Sequence, residues 1–416
     1  MITPLTSSPG ISPANPRGEI LSSIAALLLG IALPTSNPLI NISLVLILIS
    51  LIINRKSLQL KPLLTNPLVY LPAAMFALLA LSLLFHHNSY GPEMVSKDKK
   101  FLYVLPLALF FINQPQRVKL FCLGFLLANT VALIGTIAVG VLHIPIGHVD
   151  PTNPTIFKLQ ITQNFFMALA AMLWLMLAVK SQGWKRWGYG LLVVAACYSI
   201  LFLVLGRTGY VALVVGLGVW LFFSLGSRQR WLLVVLGVIA FAALLLIPNK
   251  ATQRITQGVD EIKVCMAASA DNANDACSTS MGQRSAFAIE AVRLIKDAPI
   301  LGHGAGGFYY ENPEINYKIN NPHNQYLLET IQSGVVGLII FLAWIVCCYR
   351  VIWQQTPALR NVLLAVLTSY MACNFFNSFL LDSSEGHLFM IFVAILAGYS
   401  VTGTGAQLRL DQRKTT

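Results

Sequence analysis

Apolar residues in this chain fall in long unbroken runs, not at every second position or on one face of a helical repeat. Runs of that kind, bounded by charged or Pro/Gly-rich breaks, are the pattern of membrane-crossing helices. Twelve spans are predicted on this basis: Ile20–Leu33, Leu39–Ile53, Leu68–Phe85, Phe101–Ile112, Leu120–Leu142, Ile161–Val179, Tyr189–Leu205, Tyr210–Leu225, Trp231–Ile247, Val335–Ile352, Val362–Leu381 and Gly386–Val401. The shorter ones need helices that extend past these limits to cross a bilayer. Composition agrees, with 56% hydrophobic and only 11% charged residues. The resulting fold class is all-α: a polytopic membrane protein with about twelve transmembrane helices and one large loop.

Charge supplies the orientation, because short cytoplasmic loops retain Lys and Arg. With the N-terminus inside, sixteen of the 28 basic residues fall in cytoplasmic segments, among them Arg55, Lys61, Arg117, Lys180, Arg228, Arg350 and Arg360. Only Glu19 and Asp411 of the sixteen acids fall there. Both termini are thus expected in the cytoplasm, with the first apolar stretch a retained helix of a bacterial inner-membrane protein. The formal charge of +12 reads as a topology signal, not a nucleic-acid footprint.

The chain divides into spans one to nine (1–247), a large periplasmic loop (248–333), and spans ten to twelve with a cytoplasmic tail (334–416). Chemistry is sought in the loop. Its Cys265 and Cys277 face an oxidising compartment and are expected to form a disulfide. Gln283–Lys296 has Ala286, Ile289, Val292 and Ile295 at helical spacing, which predicts a surface helix burying that face. A glycine turn follows at Gly302-His303-Gly304-Ala305-Gly306-Gly307; it matches no nucleotide-binding motif. In Asn321-Pro322-His323-Asn324, Asn321 reads as a helix cap, which puts His323 in a first helical turn leading to Gly334 and Gly337.

The informative charges are those on the expected outer side. Arg207 stands in the tight connection Gly206-Arg207-Thr208-Gly209, so its guanidinium belongs at the membrane boundary, as a lipid-facing helix end or as a phosphate clamp. Lys97, Lys99 and Lys100 form a second basic cluster at that boundary, where lipid headgroups are the competing partner. No span as drawn holds an Asp, Glu, Lys or Arg in its interior, which argues against an ion-coupled transporter. Carboxylates are nowhere gathered at metal-ligand spacing, and the His86-His87 pair has no partners in sequence, so a mechanism without metal or cofactor is expected.

His323-Asn324 followed by Leu327, Gly334, Gly337-Leu338 and Phe341 resembles the end of the large periplasmic loop of O-antigen ligases and polymerases. Arg207-Thr208-Gly209 opening a span, and Arg284 followed by the Pro299–Phe308 glycine turn, resemble the same superfamily. The resemblance implies a GT-C-like fold and inverting, metal-independent glycan transfer from undecaprenyl diphosphate to a sugar hydroxyl of lipid A-core oligosaccharide. It implies Arg207 and Arg284 on the diphosphate with Lys99 or Lys100 as helper, and His323 as the base, its ring kept neutral by the positive end of a helix. Asn324 belongs to the same motif. His303 is either an acceptor-orienting group or an ordinary turn residue, and the turn reading is preferred. The nearest alternative is the polymerase; a protein O-oligosaccharyltransferase, a solute transporter and a non-enzymatic assembly partner are the others.

Overall fold

The computed structural model describes residues 16–55, 58–232, 234–235, 237, 250–267, 277–312 and 317–414. Its helices are α1 (Pro16–Thr35), α2 (Asn37–Ile53), α3 (Leu60–Leu64), α4 (Pro67–Ser82), α5 (Gly91–Asp98), α6 (Val104–Phe111), α7 (Pro115–Gly140), α8 (Gln160–Lys180), α9 (Trp184–Tyr198) and α10 (Arg207–Ser224). After these come α11 (Lys250–Ala267), α12 (Ser280–Asp297), the antiparallel pair β1 (Tyr310–Asn312) and β2 (Tyr317–Ile319), then α13 (Gln325–Trp353), α14 (Pro357–Cys373) and α15 (Ser383–Lys414). Among the described residues seven helices are long and apolar enough to cross a membrane, and α2, α4 and α14 are shorter apolar helices. The chain is a polytopic helical membrane protein, but the described residues do not reach the count of twelve. The span expected at Phe101–Ile112 is a short 3-10 stretch, Lys99–Tyr103, running into the eight-residue α6. The span expected at Trp231–Ile247 lies largely outside the described residues.

Local sequence sets the helix ends. Ser36 and Asn66 stand before Pro-containing first turns and accept the backbone N–H of Leu39 (3.4 Å) and Leu68 (3.0 Å), so α2 and α4 start where their first orphan donors are capped. Small residues then permit close packing. A Cβ at Gly30 of α1 would lie 2.1 Å from the Phe121 carbonyl of α7, an approach that only glycine allows. The bundle interior is apolar and aromatic: Trp174, Trp344, Phe165, Phe166, Phe341, Phe379 and Phe389 are all buried. Each such ring contributes on the order of 1.5–3 kcal/mol relative to exposure in water, a scale that a lipid surround reduces.

Three expectations meet the structure here. First, α13 is two helices joined at Gly334, with φ 61° and ψ −164°, so a loop helix from Gln325 leads to that glycine and the next span opens after it, as expected. The break frees two carbonyls and an N–H that the Pro299–Phe308 segment satisfies: His303 N–H donates to Ile331 O (2.7 Å), Gly304 N–H to Gln332 O (3.0 Å), and Pro299 O accepts from Val335 N–H (2.8 Å). A Cβ at Gly334 would lie 2.0 Å from Ile300 O, so the turn and the kink require one another. Second, α12 buries only part of the expected face, with Ile295 packed against the loop cluster. Phe287, Ala291 and Leu294 pack with Phe308 and Ile331, while Ile289 is 58% and Val292 45% exposed, because the larger Phe287 fits the same period one position over and meets the apolar partners. Third, α13 and α15 carry buried carboxylates, Glu329 and Glu385, in turns that precede the apolar runs from which spans were drawn. Neither lies inside a span as drawn, but both are buried ionisable groups that hydropathy alone does not reveal.

Candidate functional site

One end of the bundle gathers the loop elements. Connection 374–382, between α14 and α15, touches several of them. Asn377 Nδ2 donates to Thr208 Oγ1 (2.8 Å), Leu380 N–H to the Gln325 side chain (3.0 Å), and Gln325 N–H to Asn374 O (2.9 Å). From the α4–α5 side, Asn88 Nδ2 donates to the carbonyls of His303 (2.7 Å) and Ala305 (2.9 Å), docking the glycine turn.

Arg207 opens α10 directly after Gly206. Asn164 of α8 fixes that turn by donating to Val204 O (3.1 Å) and Gly206 O (3.2 Å), and glycine is required because a Cβ at Gly206 would meet Gln160 O at 2.5 Å. The half-buried Arg207 reaches under the loop helices, where its guanidinium lies 3.5 Å from the Cβ position of Gly258 on α11. Arg284 projects from the first half of α12, whose start is capped by Thr279 accepting from Gly282 N–H (3.2 Å). Burial first, and then the neighbouring charge of Arg207, lowers the Arg284 pKa. Two cations are thus held near one another, and among the described residues neither forms an ion pair with a carboxylate.

His323 completes the group. Its imidazole lies 6.0 Å from the ring of Phe287 at a 30° tilt, and Phe287 stands one helical turn beyond Arg284 on α12. Burial and then the Arg284 charge push the His323 pKa below its ordinary value, so the neutral ring is favoured at neutral pH. The expected position of His323 is corrected. Asn324, not Asn321, is the cap of α13: it is extended and its side chain accepts from Leu327 N–H (3.1 Å) while donating to Phe375 O (3.0 Å). His323 precedes that cap with φ 52°, outside the helix, and its N–H donates to Asn321 Oδ1 (2.9 Å). Neutrality of the ring therefore comes from burial and Arg284, not from a place in a first turn.

Other predicted residues fall elsewhere. Lys100 is 3% exposed and donates to the carbonyls of Leu381 and Asp382, both at 2.9 Å; its electrostatic neighbours are Asp98, Asp382, Glu385 and Lys97. Burial lowers its pKa and raises that of Asp98 to about 6. Lys99 is exposed on the same turn. His303 Nε2 donates to Leu294 O (2.8 Å), tying the glycine turn to the end of α12. Cys265 and Cys277 are disulfide-bonded, joining α11 to the segment before α12. Phe287 and Asn164 escaped the sequence reading. The three-residue spacing of Arg284 and Phe287 was legible as a shared helix face, whereas Asn164 is revealed only by tertiary packing.

The fold and this site define a helical membrane protein with two neighbouring arginines, neither in an ion pair with a carboxylate among the described residues, and a half-buried histidine under a loop of helices. A family model described as O-antigen ligase matches residues 191–342, the interval that runs from before Arg207 past His323. It is also 25% identical over 275 residues to an uncharacterized protein of Haemophilus influenzae, covering 61% of this chain. The chain spans 65% of that relative's length.

Proposed function

We propose that this protein is an O-antigen ligase of the bacterial inner membrane, with both termini cytoplasmic and the loop helices in the periplasm. It transfers a glycan from undecaprenyl diphosphate to a sugar hydroxyl of lipid A-core oligosaccharide. The observation that carries this reading is the pair Arg207 and Arg284, held near one another with no carboxylate ion pair among the described residues, beside half-buried His323. Like charges kept together at the cost of mutual repulsion suit a polyanionic ligand, and guanidinium forks match phosphate oxygens.

In this mechanism the acceptor hydroxyl loses its proton to the neutral ring of His323 as its oxygen attacks the anomeric carbon. The bond from that carbon to the phosphate oxygen breaks, and the diphosphate leaves with the electron pair. Arg207 and Arg284 stabilise the charge that grows on the leaving oxygens. The diphosphate in turn offsets the repulsion between Arg284 and the imidazolium that forms. Lys99 is kept as a helper at the membrane boundary. Lys100 is not, because it is buried and two of its three donors are engaged by backbone carbonyls.

The test is expression of wild type and His323→Ala in a Gram-negative host lacking its own ligase, with lipopolysaccharide and lipid-linked glycan resolved separately. Wild type should place long glycan on lipid A-core, and the variant should leave it on the lipid diphosphate. Lengthening of lipid-linked glycan in a polymerase-deficient host, without ligation, would replace the ligase reading with the polymerase.

A further inference from the structure

The backbone at His323 poses a question that its side chain does not answer. A φ of 52° is a left-handed conformation that costs a β-substituted residue energy, and such strain persists only where the surroundings over-determine it. Two bonds converge to do so here. Asn321 Oδ1 accepts the His323 N–H at 2.9 Å and the Ser378 hydroxyl at 2.7 Å. Ser378 stands in connection 374–382, which is itself pinned along its length. Asn377 is bonded to Thr208 beside Arg207, Leu380 to Gln325, and Lys100 holds the carbonyls of Leu381 and Asp382.

We propose that Asn321 and Ser378 are positioning residues, which fix the left-handed backbone of His323 and couple it through connection 374–382 to the segment that carries Arg207. This rests on the reading of His323 as the base for glycan transfer. Neither residue touches the reacting atoms; each acts through the placement of the imidazole. Ser378 lies outside the interval matched by the family model. The arrangement gives the buried lysine and the two amides a common purpose: they make the connection rigid enough for one shared acceptor oxygen to set the histidine.

The experiment uses the purified full-length chain in vesicles, with lipid diphosphate-linked glycan as donor and lipid A-core as acceptor. Wild type, His323→Ala, Asn321→Leu, Asn321→Asp and Ser378→Ala are compared by kcat, donor KM and thermal midpoint. Misplacing a catalytic group by about 1 Å costs about 100-fold, so Asn321→Leu should lower kcat about 10- to 100-fold. Donor KM and thermal midpoint should stay close to wild type. Asn321→Asp, which keeps an oxygen acceptor for both bonds, should restore most of the rate. Ser378→Ala should show a smaller loss of the same kind and serves if Asn321→Leu does not accumulate.

Wild-type kcat in both Asn321→Leu and Ser378→Ala, with His323→Ala inactive, overturns the positioning role and leaves the glycan-transfer reading standing. A joint fall of kcat, donor affinity and thermal midpoint that Asn321→Asp does not repair overturns it as well. Absence of transfer by wild type overturns both.

Discussion

Arg207 with Arg284, and Lys100 with its acids, are two basic groups at the same end of one bundle with opposite internal economies. Lys100 is buried, gives two of its donors to backbone carbonyls, and lies among Asp98, Asp382 and Glu385. The two arginines are half-buried, close enough for one to depress the other's pKa, and without a carboxylate ion pair among the described residues. A cation whose hydrogen-bonding capacity is consumed by the protein holds structure together, whereas cations kept near one another without compensation are arranged for something that arrives. Sequence position does not separate the two cases, since all three residues stand at the loop-bearing end. Partners do.

The largest effect that sharpens this contrast is on activity. Arg207→Ala or Arg284→Ala should lower glycan transfer about 100- to 1,000-fold, the scale for loss of one preorganised donor to a developing anion, when assayed on folded protein in vesicles. Stability should run the other way. Arg284→Ala relieves repulsion and should hold or raise the thermal midpoint, while Lys100→Met strands two carbonyls at about 1–3 kcal/mol each and should lower it by several degrees. The reverse order of midpoints would break the comparison.

Next in size is the disulfide. Cys265→Ser should destabilise the junction of α11 and α12 by about 2 kcal/mol, read as faster protease cleavage of that segment in intact vesicles. The smallest effect is on pH. Because burial and Arg284 lower the His323 pKa, the neutral base persists as pH falls through 6.5, and the acid limb of kcat/KM should lie below that value. In Arg284→Gln the residual activity should show that limb moved upward, toward the ordinary histidine value.

Much of the fold was legible because lipid imposes its demand residue by residue: an apolar run long enough to cross must be a helix. What escaped were features set by partners distant in sequence. Phe287 takes the buried side of α12 from Ile289 and Val292 because Phe308 and Ile331 wait opposite it. Glu329 and Glu385 belong to membrane helices that begin before their apolar runs, so hydropathy placed both carboxylates outside. At the candidate site, Arg207, Arg284 and His323 stand in motifs visible in the sequence and the structure brings them near one another, whereas Asn321 reads as a cap by sequence and Asn324, three residues nearer the helix body, is the one that caps. Nothing in the sequence around Ser378 points toward Asn321, since the two are 57 residues apart.

The central claim is that Arg207 and Arg284 hold a lipid diphosphate for His323 to act beside. The most direct measurement is binding of undecaprenyl diphosphate to purified wild type, Arg207→Ala, Arg284→Ala and Lys100→Met in vesicles, with glycan transfer followed on the same samples. Weakened binding and lost transfer in both arginine variants, with Lys100→Met still binding where it remains folded, is the expected result. Undiminished binding and transfer in the two arginine variants would contradict the account.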